Sequence, residues 1–328
     1  MSITILKPGF MSSAQDLGRR GFQQYGVPIG GAMDVVAAAM ANIICGNDEN
    51  EAVIEMTLHG TEILFNEKAY CAISGGGCKA YIDGVELPFN RLLQVPAFSR
   101  MITKADNAGC RSYLAIAGGL NIKKEMGSAS TYISSGIGGI QGRALITGDL
   151  IQFKDPHVDQ PSLKILPNGI GMSSWQVPQL VLTDLILPTI HLIKGPEFDW
   201  FRPSTQVSFF NSVYTISLRS NRMGYRLEGQ PCETLEKKEM VSTAVTRGIV
   251  QVTNEGDPII LMADAQTTGG YPRIARICSA DLPVLAQCRP GTKIQFREIG
   301  EEESEMRYNR VVEAMKRVKV ALNNRHEE

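Results

Sequence analysis

Four short segments of the sequence combine amide, hydroxyl, carboxylate and guanidinium side chains with glycine-rich turns. The first covers residues 15–21 and continues into Gly-Gly-Ala-Met-Asp at 30–34, and the second runs from 118–119 into 127–131. The third is Ser-Asn-Arg-Met-Gly-Tyr-Arg-Leu at 220–227, and the fourth is 261–272. Such side chains orient a carbonyl or carboxylate group and stabilise negative charge that develops on oxygen. The segments therefore indicate binding chemistry without a covalent nucleophile.

The same residues also have a purely structural explanation. Asp16, Arg19, Arg222 and Arg226 are candidates for ion pairs or turn caps. Residues 267–270, Thr-Thr-Gly-Gly, fit a simple hairpin corner. Both interpretations stay open at the level of a single residue.

Two further glycine-rich loops lack the features of a nucleotide-binding loop. Ser-Gly-Gly-Gly at 74–77 follows an apolar run but has no Gly-Lys-Ser/Thr ending, so it predicts a tight turn or a bulge. Gly-Ile-Gly-Gly at 136–139 also lacks that ending and predicts a mobile loop beside a cleft. The sequence has no Gly-x-Ser-x-Gly motif, which disfavours hydrolysis by a serine nucleophile of this chain.

The elements that must position these segments are mainly strands. Short apolar or alternating runs at 62–65, 69–73, 79–82 and 112–116 predict an antiparallel β protein, a barrel or a sandwich. Helices are predicted at 34–45, 279–287 and 302–323. A loop-rich stretch at 154–179 marks a domain boundary. The sequence therefore predicts a mainly β fold with an N-terminal domain at 1–165, a C-terminal domain at 166–300 and a final helix at 301–328.

The bulk composition narrows the functional classes. With 33 basic and 34 acidic side chains in 328 residues, no excess positive charge is available for a nucleic acid. No secretory signal and no membrane-spanning apolar run are present, so we expect a cytoplasmic protein. The seven cysteines form no CxxC pair and the four histidines are isolated, so we expect reduced, buried thiols and no metal site.

In this order along the chain, the four segments resemble the family known as allophanate hydrolase subunit 2, biotin-dependent carboxyltransferase-like, or the C subunit of 5-oxoprolinase. The resemblance rests on Gln-Asp-Leu-Gly-Arg at 15–19, Ser-Asn-Arg-Met-Gly at 220–224 and Gln-Thr-Thr-Gly-Gly-Tyr at 266–271. It implies two cyclophilin-like β-barrel domains flanking a cleft. It also implies two protein partners, a smaller subunit 1 that corresponds to the B subunit of 5-oxoprolinase and a protein like its A subunit that opens the ring.

The resemblance also implies roles for individual residues. Asn221 and Arg222 would contact the substrate amide or its oxyanion, with Asp264 and Gln266 nearby. The residues expected to bind substrate or line the cleft are Gln15, Asp16, Arg19, Asp34, Ser128, Ser130, Thr131, Arg226, Gln251, Thr267, Thr268 and Tyr271. The sequence departs from the family at 241–253, because relatives carry an acid in this stretch and none is present here.

The leading functional hypothesis is the C-type component of an ATP-dependent 5-oxoprolinase complex, which activates a cyclic amide for hydrolysis to glutamate. ATP is needed by the complex, and no nucleotide motif assigns its site to this chain. One alternative is a carboxyltransferase that moves a carboxyl group from carboxybiotin on another protein to urea or a related amide. Ala-Met-Lys-Arg at 314–317 lacks the second methionine of a biotin-carrier turn. The other alternative is a regulatory protein that antagonises a kinase inhibitor.

Overall fold

The structure is a computed structural model that describes residues 1–106, 108–154, 163–166, 168–180, 185–236 and 238–326. The chain divides into two compact units. Unit 1 comprises Met1–Arg19, Gly30–Leu180 and Glu313–Glu328, and unit 2 comprises Arg20–Ile29 and Val181–Val312. The domain boundaries inferred from the sequence stay predictions. Residues 155–162 and 167 of the predicted boundary loop lie outside the described residues.

Unit 1 has thirteen strands within its described residues, arranged in two antiparallel sheets. The strands are β1 (Ser2–Pro8), β2 (Met11–Gln15), β3 (Val53–Thr57), β4 (Thr61–Phe65), β5 (Ala69–Gly75), β6 (Cys78–Ile82), β7 (Val85–Glu86), β8 (Leu93–Val95), β9 (Arg100–Ala105), β10 (Arg111–Ile116), β11 (Leu150–Gln152), β12 (Leu163–Ile165) and β13 (Gly171–Ser173). One sheet has the order β11-β1-β4-β9-β6-β7, and the other has the order β12-β13-β8-β5-β10-β3-β2.

Alternation of side chains gives unit 1 its core. In β1, Ile3 and Ile5 are fully buried and pair with Phe65 and Ile63 of β4. These residues join Ile54 and other side chains of the second sheet in one apolar cluster, so the two sheets pack face to face. Burial of each such side chain contributes about 1.5–3 kcal/mol, which makes this cluster the main source of stability.

The other face of the second sheet is covered by helix α1 (Val35–Ile44). Asp34 caps this helix, because its side chain accepts a hydrogen bond from the Ala37 N–H group at 2.9 Å. Gly46 follows the helix with φ of 72°, the left-handed conformation that ends helices. The predicted helix at 34–45 is therefore confirmed with its cap. Ala38, Ala41 and other buried residues of α1 pack on the sheet.

Unit 2 has nine strands within its described residues. They are β14 (Thr189–Lys194), β15 (Val213–Ile216), β16 (Gly224–Glu228), β17 (Thr243–Ala244), β18 (Ile249–Val252), β19 (Pro258–Leu261), β20 (Thr268–Gly269), β21 (Arg273–Ile277) and β22 (Lys293–Glu298). Seven of them close into a barrel in the order β14-β21-β18-β19-β16-β15-β22, and β17 pairs with β20 in a separate ribbon. The predicted mainly β class is confirmed.

Three further α-helices complete the described residues, namely α2 (Pro203–Asn211), α3 (Leu282–Gln287) and α4 (Glu301–His326). Helices α3, with a 3-10 turn at Ser279–Asp281 before it, and α4 confirm two sequence predictions. Leu322 near the end of α4 packs with the α1 cluster of unit 1. Helix α2 was not expected, although Pro203 at its first position is a helix-start signal. No helix in the described part of the chain combines the length and apolarity needed to cross a membrane.

All seven cysteines are buried and unpaired with one another, as predicted for reduced core residues. Burial raises the pKa of Cys71 to about 12. Burial also raises the pKa of Cys78 to about 11, although a hydrogen bond from its side chain to Ser112 opposes that shift. Thiols in this state are poor nucleophiles and poor metal ligands.

Candidate functional site

Asp16 is the centre of a buried hydrogen-bond network at the end of β2. Its carboxylate accepts from Ser128 Oγ at 2.7 Å, from the Ala129 N–H group at 2.6 Å and from the Gly18 N–H group at 2.8 Å. Ser130 Oγ donates to the same carboxylate. Asp16 is 1% exposed, so these donors replace the water that the carboxylate loses. The fold thus joins the first segment to residues more than one hundred positions later in the sequence.

Gln15 and Thr131 extend this network along β2. Gln15 Nε2 donates to Ser13 Oγ at 2.9 Å and to the Thr131 carbonyl oxygen at 3.2 Å. Thr131 Oγ1 donates to the Ala14 carbonyl oxygen at 2.9 Å. Gln15 is fully buried, and its Oε1 atom has no hydrogen-bond partner among the described residues. The Gln15 amide is therefore held in one orientation by its two donated bonds.

Arg19 and the glycine loop at 136–139 close the network. Arg19 Nη2 donates to the Ser130 carbonyl oxygen at 2.5 Å, and no Asp16–Arg19 ion pair is needed to explain the position of either side chain. A Cβ atom added to Gly138 would lie 2.1 Å from that carbonyl oxygen. The Gly138 N–H group donates to Glu125 Oε2 at 3.0 Å. The loop is thus hydrogen-bonded and packed against the network, and its mobility stays a prediction.

Asp34 belongs to a second buried cluster in unit 1. Its N–H group donates to Tyr113 Oη at 2.7 Å, and Tyr113 Oη donates to Glu55 Oε2 at 2.9 Å. The same Glu55 oxygen accepts from the Met33 N–H group at 2.8 Å. Sequence reasoning missed Glu55 and Tyr113. The available signal was an acid in the middle of the apolar run Val-Ile-Glu-Met-Thr at 53–57, where a buried charge requires partners.

Arg222 and Asp264 form a buried ion pair at one end of the unit 2 barrel. Arg222 Nε donates to Asp264 Oδ2 at 2.8 Å and Nη2 donates to Oδ1 at 3.0 Å. Both side chains are 6% exposed. The Asp264 N–H group also donates to the Arg222 carbonyl oxygen at 2.9 Å. The structural interpretation of Arg222 as an ion-paired residue is thus correct, but its partner is Asp264, whereas Arg226 is exposed on β16.

Asn221 lies in the exposed loop that joins β15 to β16. Its Oδ1 atom accepts from the Met223 N–H group at 2.8 Å and from the Gly224 N–H group at 3.3 Å, which fixes the turn. The Asn221 Nδ2 group remains a potential donor on an exposed residue. The turn therefore holds Asn221 beside the Arg222–Asp264 pair.

The fourth segment forms the ribbon and its return to the barrel. Gln251 of β18 is 2% exposed, and its Nε2 atom donates to the Tyr271 carbonyl oxygen at 3.2 Å. Thr268 is exposed in β20, and Tyr271 is 40% exposed. Strand β17, which pairs with β20, lies within residues 241–253. Gln266 is exposed and lies two residues before β20. The Thr267 carbonyl oxygen accepts a hydrogen bond from the N–H group of Val245, the residue after β17, at 2.9 Å.

The glycine-rich loop at 74–77 is a turn, as predicted. The N–H groups of Gly76 and Gly77 donate to the Arg111 carbonyl oxygen at 2.9 and 3.1 Å, so both already have acceptors within the protein. A Cβ atom on Gly75, which has φ of 95°, would lie 2.4 Å from the same oxygen. In the described part of the chain, no group of three or more His, Cys, Asp or Glu side chains is placed to hold a metal ion.

Each unit therefore brings several of the predicted polar residues together. Unit 1 brings together six of the predicted residues, namely Gln15, Asp16, Arg19, Ser128, Ser130 and Thr131, with Asp34 in the neighbouring cluster. Unit 2 brings together Asn221, Arg222 and Asp264, with Gln251 and Tyr271 in a second group at the ribbon. Their roles in substrate binding stay predictions.

Comparison with known proteins defines the class that this fold and these polar clusters belong to. Residues 25–298 match the model of the carboxyltransferase domain, subdomains A and B. The chain belongs to this family.

The chain is also similar to individual proteins with known names. The chain is 38% identical over 302 residues to the C subunit of 5-oxoprolinase from Escherichia coli, covering 92% of this chain and 93% of that protein. It is 32% identical over 315 residues to urea amidolyase of Saccharomyces cerevisiae, covering 92% of this chain and 17% of that protein. The crystal structure of K. lactis urea amidolyase superposes with a TM-score of 0.87 at 26% identity, over 97% of this chain and 20% of that one. The resemblance seen in the sequence motifs is confirmed.

Proposed function

We propose that this chain is the C subunit of a cytoplasmic, ATP-dependent 5-oxoprolinase complex. The observation that carries the proposal is the 38% identity to the corresponding Escherichia coli protein, because it extends over 92% of this chain and 93% of the relative. End-to-end similarity supports a shared role better than similarity to one region of a larger enzyme. The proposed partners are a smaller protein of the B-subunit type and a ring-opening protein of the A-subunit type.

The geometry of unit 2 suits the activation of a cyclic amide. Attack on an amide carbonyl places negative charge on its oxygen, and fixed hydrogen-bond donors stabilise that charge. In the proposal, Asn221 Nδ2 donates to the lactam oxygen of 5-oxoproline, and Gln266 is a second amide close to it in the site. The Arg222 guanidinium, oriented by Asp264, supplies positive potential for the substrate carboxylate.

ATP consumption belongs to the complex in this proposal. Ring opening adds one water to 5-oxoproline and yields glutamate, while ATP is hydrolysed to ADP and phosphate. The assay therefore uses this chain co-expressed with both partner proteins. ATP hydrolysis and glutamate formation are measured with and without 5-oxoproline, and the expected result is turnover of both that depends on the amide.

Two variants of Asn221 separate its turn from its donor. Asn221→Asp keeps the oxygen that accepts from Met223 and Gly224 but removes the Nδ2 donor, whereas Asn221→Ala removes both. We expect both variants to lose amide-dependent turnover. Asn211→Ala is the matched control, because Asn211 is also exposed and its Nδ2 group donates to a backbone carbonyl, that of Val207 in α2. Full activity of Asn221→Asp would refute a donor role for Asn221.

A second candidate is carboxyl transfer to a small amide. It is favoured by the match to the carboxyltransferase domain and by the similarity to urea amidolyase. In that case the chain would decarboxylate carboxybiotin, supplied on a separate carrier protein, when the acceptor is present. Acceptor-dependent loss of carboxybiotin, together with no response to 5-oxoproline, would replace the leading proposal.

A further inference from the structure

Glu55 is an unusual residue for its position in the fold. It lies in the middle of β3, between Ile54 and Met56 of the unit 1 core, and is only 1% exposed. A carboxylate buried to this degree destabilises a protein unless hydrogen bonds and a counter-charge compensate for the lost water. The arrangement of its partners indicates what the protein gains in return.

Glu55 and Tyr113 together hold two consecutive backbone N–H groups. Met33 donates directly to Glu55 Oε2, and Asp34 donates to Tyr113 Oη, which donates in turn to the same Glu55 oxygen. The four groups form a closed ring with distances of 2.7–2.9 Å. Burial, with a contribution from the charges of Glu55 and Asp34, holds the pKa of Tyr113 well above its ordinary value. The phenol therefore stays protonated and donates to the carboxylate.

The two Glu55 oxygens have different surroundings. Oε2 accepts both bonds of the ring, whereas Oε1 lies 3.9 Å from Arg111 Nε. Arg111 is 4% exposed, so this charge interaction is poorly screened by water. One oxygen therefore sets the position of the 33–34 peptide, and the other faces the positive charge.

The loop that contains the Met33–Asp34 peptide is hydrogen-bonded to Asp16. The Ala32 N–H group, one residue before the ring, donates to the Asp16 carbonyl oxygen at 2.8 Å. Gly31, with φ of 85°, approaches so closely that an added Cβ atom would lie 2.8 Å from the Gly18 nitrogen. The loop at 30–34 and the turn at 16–18 are thus fixed against each other, and a shift of the Met33–Asp34 peptide would be transmitted to the turn.

We propose that Glu55 and Tyr113 are positioning residues that hold the loop at 30–34 against the Asp16 turn, and that the predicted substrate-binding residues around Asp16 depend on this contact. The proposal rests on the proposed 5-oxoprolinase function. Neither residue touches substrate. Loss of this contact lowers kcat of the complex by about tenfold, because small displacements of groups around a reacting substrate are costly, and it leaves KM within about twofold.

The variants are chosen to separate hydrogen bonding, charge and folding. Tyr113→Phe removes the hydroxyl that links Asp34 to Glu55. Glu55→Gln keeps one oxygen able to accept the bonds from Met33 and Tyr113, and it removes the negative charge that faces Arg111. Tyr70→Phe is the matched control, because this buried hydroxyl of the same sheet accepts from Gln94 at 2.8 Å and lies outside the ring formed by Glu55, Tyr113, Met33 and Asp34.

Two measurements are made on each protein. Hydrogen–deuterium exchange of the 30–38 peptide measures how firmly the loop at 30–34 is held, and it does not depend on enzymatic activity. The 5-oxoproline-dependent turnover of the three-subunit complex gives kcat and KM. We expect Tyr113→Phe to exchange faster and to lose kcat. Glu55→Gln should also exchange faster and lose kcat, because the buried Arg111 loses the Glu55 counter-charge. Tyr70→Phe should match wild type in both.

The outcomes are distinguishable. Unchanged exchange in Tyr113→Phe overturns the claim that Tyr113 holds the loop at 30–34. Faster exchange with unchanged kcat and KM overturns the positioning role and leaves the proposed function intact. An inactive wild-type complex refutes the proposed function and the catalytic part of this inference, and exchange still decides whether the ring holds the loop. Equal loss of kcat in Tyr70→Phe would show a general effect of weakened packing and would also overturn the proposal.

Discussion

Removal of the Asp264 carboxylate tests the buried ion pair of unit 2. In Asp264→Ala, Arg222 keeps its guanidinium but loses two charge-assisted hydrogen bonds, at 2.8 and 3.0 Å, in a position where both side chains are 6% exposed. Breaking one partner of such a pair costs about 3–5 kcal/mol, because the remaining charge stays buried. The same charges at the surface would contribute about 0–1 kcal/mol.

A surface pair in the same unit supplies the control. Arg202 Nη1 lies 3.1 Å from Glu233 Oε2, with side-chain exposures of 55% and 58%. Glu233→Ala should therefore cost less than about 1 kcal/mol. The double variant Arg222→Met with Asp264→Ala should cost less than the sum of its single changes, because the uncompensated charge is then removed.

The assay is urea unfolding followed by tryptophan fluorescence. The sequence has two tryptophans, Trp175 in unit 1 and Trp200 in unit 2. A Trp175→Phe background leaves Trp200 as the reporter of the barrel. A cost for Asp264→Ala no larger than that of Glu233→Ala, with additive double-variant effects, would show that the pair is screened by solvent and would refute this reasoning.

Two other predictions concern pH and backbone conformation. Burial favours a raised pKa for Glu197, but its hydrogen bonds with Arg273 outweigh burial and lower the pKa below its ordinary value. Its contribution to stability is thus present above the unfolded-state pKa and is lost as pH falls through the folded-state pKa. Glu197→Gln should therefore destabilise the protein more at pH 7 than at pH 3 in urea titrations. An equal cost at both pH values would contradict this. Gly138→Ala should destabilise the protein far more than Gly136→Ala in thermal unfolding. Both residues have positive φ, so both substitutions share a cost of about 1–2 kcal/mol. Of the two, only Gly138 would place the added Cβ against a carbonyl oxygen, that of Ser130. Equal shifts in Tm would show that the loop relaxes.

Local patterns explain which elements the sequence could predict. Strand β10 follows from a short apolar run and helix α1 from the Asp34 cap, and both signals are properties of neighbouring residues. Helix α2 was missed because its sequence, Pro-Ser-Thr-Gln-Val-Ser-Phe-Phe-Asn, is rich in weak helix formers. It is stabilised by tertiary packing, since Phe209 is buried and stacks on Phe296 of β22 with ring centroids 4.9 Å apart.

The candidate site was predictable by residue type but not by partner. The family resemblance placed Asp264 near Arg222 but not as its ion-pair partner, because their pairing across 42 residues depends on the adjacent ends of β16 and β19. The glycines at 136–139 suggested mobility because glycine permits many conformations. The same absence of a side chain also permits the close approach of Gly138 to Ser130, and a single sequence does not distinguish the two uses.

In both polar clusters, a side chain accepts a hydrogen bond from the backbone of its own turn, and this limits which experiments are informative. Asp16 accepts from the Gly18 N–H group two residues on, and Asn221 accepts from Met223 at the same spacing, so each polar side chain builds the turn that presents it. An alanine substitution at either position removes the turn and the chemistry together, and the resulting loss of activity would not identify a role. Replacements that keep the accepting oxygen, such as Asn221→Asp, remove the donor and preserve the turn, although Asn221→Asp also adds a negative charge. A site of this kind is therefore assigned by the difference between two substitutions at one position.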